Sequence, residues 1–168
     1  MNIFFLDQDI KRCAQYHCDQ HVIKMILEST QILSTVLHLN GINGPYKPSH
    51  QKHPCIVWAR QSLQNWLWLR KLVFALNSEY KYRYDSVINH KSYDVSKILR
   101  VPPLPDIGLL EHPQIMPEEY KIPGDPINAY RNFYINCKSK FATWRKRKKP
   151  NWYRPYNCHG SRQIGAKM

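Results

Sequence analysis

Acidic residues are scarce in this chain: 12 Asp and Glu stand against 25 Lys and Arg, a formal net charge of +13 over 168 residues. A protein so short of negative charge draws polyanions, nucleic acid most simply, with an affinity that falls as salt rises. Other absences narrow the class. No Cys-x-x-Cys pair occurs among Cys13, Cys18, Cys55, Cys137 and Cys158, which argues against a zinc knuckle, and five scattered cysteines suit a reducing compartment better than a disulfide framework. There is no glycine-rich phosphate loop, no internal repeat and no low-complexity segment. No apolar run reads as long enough to span a bilayer and no basic amphipathic helix stands apart, so a membrane partner is not expected. Met1-Asn2-Ile3-Phe4-Phe5-Leu6 lacks a positive leader and a cleavage site. The expected location is therefore the cytoplasm of a bacterial or virus-infected cell.

What is present is globular composition, 43% hydrophobic and 12% aromatic, and a length that predicts one domain over residues 1–168. The apolar run Ile3–Leu6 reads as a buried N-terminal segment leading into a cap at Asp7-Gln8-Asp9. Hydrophobic periodicity then predicts a helix from Ile10 to Leu39, stopped by Asn40-Gly41-Ile42-Asn43-Gly44-Pro45, and a second from Cys55 to about Asp85. Trp58, Trp66 and Trp68 fall at helical spacing, which favours core packing over base stacking. Seven of the twelve prolines lie between Val101 and Pro126, so this stretch is expected to be an irregular crossing. Asp125-Pro126 reads as the start of a third helix, running to Lys148. The fold class is thus all-α: a compact bundle of three long helices with long irregular loops and a basic, aromatic C-terminal tail.

Chemistry gathers on Tyr16 to Gln31. On a helix, His17, His21 and Glu28 point within about 40° of one another, with Lys24, Gln31 and Thr35 beside them and apolar residues round most of the remaining circumference. A polar line is often only a solvated face. Two imidazoles and an amide among its few members are instead the groups of acid–base work on a partly buried rim. The tail offers a second feature. Arg145-Lys146-Arg147-Lys148-Lys149 leads directly into Trp152-Tyr153-Arg154-Pro155-Tyr156, which sets phosphate attraction beside base stacking; Arg131 and Lys138 lie off the apolar face of the third helix. Two other readings use the same residues. His17 and His21 are spaced to share a metal with Glu28, as in a metal-dependent hydrolase, or the chain is a non-catalytic basic nucleic-acid-binding protein.

The order of these motifs resembles the phage pyrimidine-dimer DNA glycosylase (endonuclease V) family. Asp19-Gln20-His21 followed seven residues later by Glu28 matches its Asp-Gln-His and glutamate; His53 and the helix holding Leu69-Arg70-Lys71 match its second helix; Pro150-Asn151-Trp152-Tyr153-Arg154 with Tyr156 matches its tail. The resemblance implies base excision and strand cleavage on a damaged or modified nucleotide flipped out of DNA, by a monomer needing no cofactor. It also implies roles. The N-terminal α-amine attacks C1′ of the sugar, and amines of this class titrate at about 8, leaving a nucleophilic neutral fraction. Glu28 is the central carboxylate and His21 its neighbour. His17, Lys24, Gln31, Arg131, Lys138, Arg145 to Lys149, Trp152, Tyr153 and Arg154 are the expected nucleic-acid contacts. Two positions depart from the pattern. Asn2 stands where the family has a small residue that permits Met removal, so the amine expected here is that of Met1, and Leu27 and Gln31 replace arginines that flank the family's glutamate.

Overall fold

The computed structural model describes residues 1–154. Its regular structure is helical throughout, with no strand among the described residues. Helix α1 (Ile10–Tyr16) opens from Asp9, whose carboxylate accepts the Arg12 N–H at 2.7 Å. The helix expected to run unbroken to Leu39 stops there. His17 and Cys18 are extended, and the chain resumes as α2 (Asp19–Leu39).

Neither Gly nor Pro makes this break; its cause is a buried arginine from elsewhere in the chain. Arg83 donates to the carbonyls of Gln15 and His17, both at 2.8 Å, and pairs with Asp19 at 3.0 Å and Glu79 at 3.1 Å. The carbonyls that α1 leaves unsatisfied at its C-terminus thus find donors inside the protein. Asp19 also accepts from the Thr143 hydroxyl and the Arg145 N–H, and Glu79 from Arg147. One ionic cluster therefore joins the α1–α2 corner to the segment beyond the last helix.

The second expected helix is also two. Helix α3 (Pro54–Gln61) and helix α4 (Leu63–Tyr84) meet at extended Ser62, whose hydroxyl accepts the Gln64 N–H and donates to the Gly108 carbonyl at 2.6 Å. A short helix α5 (Lys91–Lys97) follows, capped by the His90 ring. The proline-rich crossing is irregular except for one 3₁₀ turn at Glu118–Tyr120. Helix α6 (Pro126–Cys137) opens from Asp125 as expected but ends at Cys137 rather than Lys148. The partly buried Phe141 and buried Trp144 reach the core from turns. The all-α class stands, then, while three long helices give way to six shorter ones among the described residues.

Helix α2 is the centre, packed against α3, α4 and α5. By length and hydropathy it passes as a membrane span, contrary to the sequence reading, yet more than half of that stretch is buried in the protein. Trp58, Trp66 and Trp68 are core residues. Ile3, Phe4, Phe5 and Leu6 are each 8% exposed or less. Burying side chains of this size contributes roughly 1.5–3 kcal/mol apiece, so the segment behind the N-terminus is firmly held.

Candidate active site

That anchored segment delivers the start of the chain to Glu28. The Met1 amine lies 3.8 Å from Glu28 Oε2, and the Asn2 N–H donates to the same oxygen at 3.1 Å. Lys24, one turn earlier on α2, brings its Nζ to 3.5 Å from Oε1. Glu28 is thus a mostly buried carboxylate between two amines.

Asn2 acts as a brace. Its Nδ2 donates to the Ile115 carbonyl at 2.9 Å, while its Oδ1 accepts the Ile3 N–H at 2.8 Å and lies 2.9 Å from the Tyr130 hydroxyl. Tyr130 in turn lies 2.8 Å from the Pro113 carbonyl and accepts the Ile115 N–H. The proline-rich crossing and α6 therefore both fix the direction in which residue 1 leaves residue 2. A side chain whose bulk counted, in sequence, only against Met removal proves to orient the terminus.

The histidines of the expected stripe do not join this centre. With the helix broken at His17, that ring leaves the line of α2. It is wholly buried, its Nδ1 is 2.8 Å from the Cys13 carbonyl, and its Nε2 has no partner among the described residues. His21 stacks on Phe4, with ring centroids 4.3 Å apart, and its Nδ1 meets the Tyr134 hydroxyl at 2.5 Å. Burial holds His17 down to about 4 and His21, with the nearby His17, Lys138 and Lys24 adding to it, down to about 3. Both rings are therefore neutral and serve packing. A buried neutral His17 cannot grip a phosphate. Among the described residues, no three His, Cys, Asp or Glu side chains converge as a metal-ligand set, which removes the His17/His21/Glu28 metal reading.

The expected nucleic-acid contacts divide. Arg131 is turned inward to the Leu6 carbonyl and Asp7; Arg147 forks onto Glu79; Lys146 pairs with Asp85. Trp152, partly buried, packs edge-on against Tyr16 and Tyr134 with the Arg131 guanidinium over its ring, and Tyr153 is buried against Trp144, so Tyr153 offers no free face to a base. Lys24, Arg145, Lys148, Lys149 and Arg154 are exposed, and Gln31 and Lys138 half-exposed. Tyr156 and Cys158 lie outside the described residues.

The polar loop before α3, which in sequence stood out only through His53, is built against α2. The segment after Pro45 is pinned to α2, with Tyr46 bonded to Ser34 and the Ser49 N–H donating to Thr35 Oγ1 at 3.3 Å, on the line that continues from Glu28 through Gln31. It ends in a tight turn in which the His50 carbonyl accepts the His53 N–H at 2.7 Å, with His50 in the left-handed region at φ 49°. His50, Gln51, Lys52 and His53 line an open groove of about 440 Å³. His53 caps α3, its Nδ1 accepting the Cys55 N–H at 3.2 Å. Partial burial, then the Met1 amine and His50, hold His53 below its ordinary value while Glu28 pulls the other way, so His53 shares an electrostatic environment with the amine–carboxylate pair. Histidine directly before a proline that opens a helix was the available signal for the cap. Cys55, beneath them, is a buried thiol that burial pushes up to about 12, which rules it out as a thiolate nucleophile.

An amine beside a carboxylate is equipped to attack an electrophilic carbon and shed a proton to the carboxylate. Among known protein families, the model described as pyrimidine dimer DNA glycosylase matches residues 1–91, more than half of the chain and every residue of the Met1–Lys24–Glu28–His53 site. No curated protein and no solved structure matches.

Proposed function

The chain belongs to the pyrimidine dimer DNA glycosylase family, and from that premise we propose that it excises a damaged or modified pyrimidine from DNA through a covalent sugar adduct on its own N-terminal amine. The Met1 amine attacks C1′ of a nucleotide turned out of the duplex. A C–N bond forms at C1′ as the glycosidic bond breaks, the electron pair leaves with the base, and Glu28 takes the proton the amine sheds. Ring opening gives a Schiff base, from which elimination of the 3′ phosphate cuts the strand. The observation that carries this reading is the 3.8 Å approach of the Met1 amine to Glu28, held by the brace at Asn2. If Met1 were removed, the Asn2 nitrogen, 3.1 Å from the same oxygen, would become the amine, and the chemistry would be unchanged.

Lys24 supports a second reading. Its Nζ is 3.5 Å from Glu28 Oε1 and more exposed than the α-amine, so it is the competing nucleophile. The exposed Arg145, Lys148, Lys149 and Arg154, with Lys138 and Gln31, supply the phosphate contacts on either reading.

The test is a borohydride trap on duplexes carrying one thymine dimer or one abasic site. Wild-type protein is expected to form a covalent adduct and nick the strand, and Glu28→Gln to bind DNA while losing turnover by at least about a hundredfold. Binding without any adduct on either duplex would leave the non-catalytic nucleic-acid-binding reading.

A further inference from the structure

We infer that Ile23 and Leu27 on α2 are an apolar wedge that enters the base stack where the target nucleotide turns out of the duplex. This rests on the excision reaction proposed above and adds to it the device that holds the duplex open. Between Gln20 and Gln31, α2 shows one stripe to solvent. Gln20, Ile23, Lys24 and Leu27 are exposed, Glu28 and Gln31 partly so, and every other residue of the stretch is buried. Ile23 and Leu27 are 38% and 39% exposed, whereas the other apolar residues of α2 from Val22 to Leu37 are all buried. A core helix keeps its apolar residues on the inner face, so this pair on the wet stripe breaks the pattern.

The register of the helix sets the pair beside the reacting groups. Lys24 Nζ lies 3.5 Å from Glu28 Oε1 across one turn, and Ile23 and Leu27 span the same turn one residue earlier. The apolar pair therefore runs alongside the Lys24–Glu28 pair. A sugar whose C1′ meets the Met1 amine beside Glu28 brings its duplex against this stripe, because α2 offers it no other open face.

The chemistry of the stripe assigns the occupant. Lys24 and Gln31 can bond phosphate oxygens; Ile23 and Leu27 have nothing to offer a phosphate. The apolar surface of a duplex is the faces of its base pairs, and these are bared when a nucleotide leaves the stack. Aliphatic side chains enter such a step and replace the lost stacking, which offsets the cost of turning the nucleotide out. The stripe's one carboxylate, Glu28, is already paired with Lys24 and the Met1 amine, so the phosphates beside the gap meet no unpaired negative charge.

The experiment measures single-turnover excision on two duplexes, one with a thymine dimer paired to two adenines and one with the dimer opposite two abasic residues, where little pairing opposes extrusion. Burying what remains exposed of each side chain is worth a factor of about five in rate, so Ile23→Ala and Leu27→Ala should each lose that much on the paired dimer and together about twentyfold. On the unpaired dimer the double variant should stay within about threefold of wild type. Leu27→Met and Leu27→Gln have similar length and helix propensity and differ in polarity; Met should keep the wild-type rate and Gln should match Ala. A 2-aminopurine next to the dimer reads the opening without chemistry, and its fluorescence should rise on binding Glu28→Gln protein and fail to rise once Ile23 and Leu27 are also alanine. Excision of the paired dimer by the double variant at the wild-type rate would overturn the inference, as would an equal loss on both duplexes, or equal rates for Leu27→Met and Leu27→Gln. If wild type neither excises nor traps, the Schiff-base reading fails alone: a fluorescence rise that depends on Ile23 and Leu27 still supports the wedge, and no rise overturns it.

Discussion

Replacing Arg83 with methionine tests whether the corner that shapes the helical core is imposed from a distance. Methionine keeps most of the buried volume, so the loss is electrostatic. Two carbonyls lose their donors, that of the fully buried His17 and that of the partly buried Gln15. Each buried acceptor left unsatisfied costs about 1–3 kcal/mol. Asp19 and Glu79 lose one partner each but keep others, Asp19 the Thr143 hydroxyl and Arg145 N–H, Glu79 the Arg147 fork. Their added cost is therefore moderate, and the total falls at about 3–5 kcal/mol, the usual range for breaking a buried ionic cluster. At about 2–4 °C per kcal/mol for a domain of this size, Tm should drop by roughly 6–20 °C. Urea unfolding followed by circular dichroism measures it, with the slope against urea unchanged. Arg83→Lys should cost nearly as much, since an ammonium cannot reach all four acceptors at once. A loss below about 1 kcal/mol would refute the reasoning and mean that the His17–Cys18 break is encoded locally.

Acid should unfold the protein through its buried imidazoles. His17, His21 and His112 are held by burial at about 4, 3 and 3, below the ordinary 6.5 of the unfolded chain. Below that ordinary value the unfolded state binds protons that the fold refuses, so stability is intact above pH 6.5 and lost as pH falls toward 4, by up to about 4 kcal/mol per pH unit when all three titrate. Equilibrium unfolding measured between pH 7 and 4.5 checks this, and a flat profile would contradict it; His112→Phe should cut the slope by about a third. On the rim, Leu27 is 39% exposed beside Glu28, where an arginine would add a phosphate contact. Leu27→Arg should tighten DNA binding and steepen the dependence of log affinity on log salt by about 0.9, read by fluorescence anisotropy at several salt concentrations.

The parts of the fold legible in the sequence were those written in local chemistry. Periodicity marks α2, Asp9 and Asp125-Pro126 mark their caps, and the proline cluster marks the crossing. The corner at His17 was not legible because its cause, Arg83, is remote in sequence and acts on backbone carbonyls that carry no sequence signal. The split at Ser62 had one, since Ser is a strong N-cap, but the tryptophans on either side kept an unbroken helical rhythm. The same rhythm extended α6 toward Lys148: Phe141 and Trp144 stay in register with it, although turns bring them to the core. In the site, Glu28 was visible from its spacing. His17 had been grouped with it by an ideal helix that the corner interrupts, whereas His21 stays on α2 with Glu28 and its ring is taken up by Phe4 and Tyr134. The aromatic tail looked like a stacking platform because composition cannot tell a free ring from one packed, like Trp152, on Arg131. Asn2 was read for its size, whereas its amide chemistry is what braces the terminus.

The most direct measurement is the location of the trapped sugar. After borohydride reduction on abasic DNA, nuclease digestion and tandem mass spectrometry should find the remnant on the α-nitrogen at the start of the chain, on Met1 or, in chains that have lost it, on Asn2, and Glu28→Gln should abolish it. A remnant on Lys24 Nζ, 3.5 Å from the same carboxylate, would contradict the N-terminal amine as nucleophile.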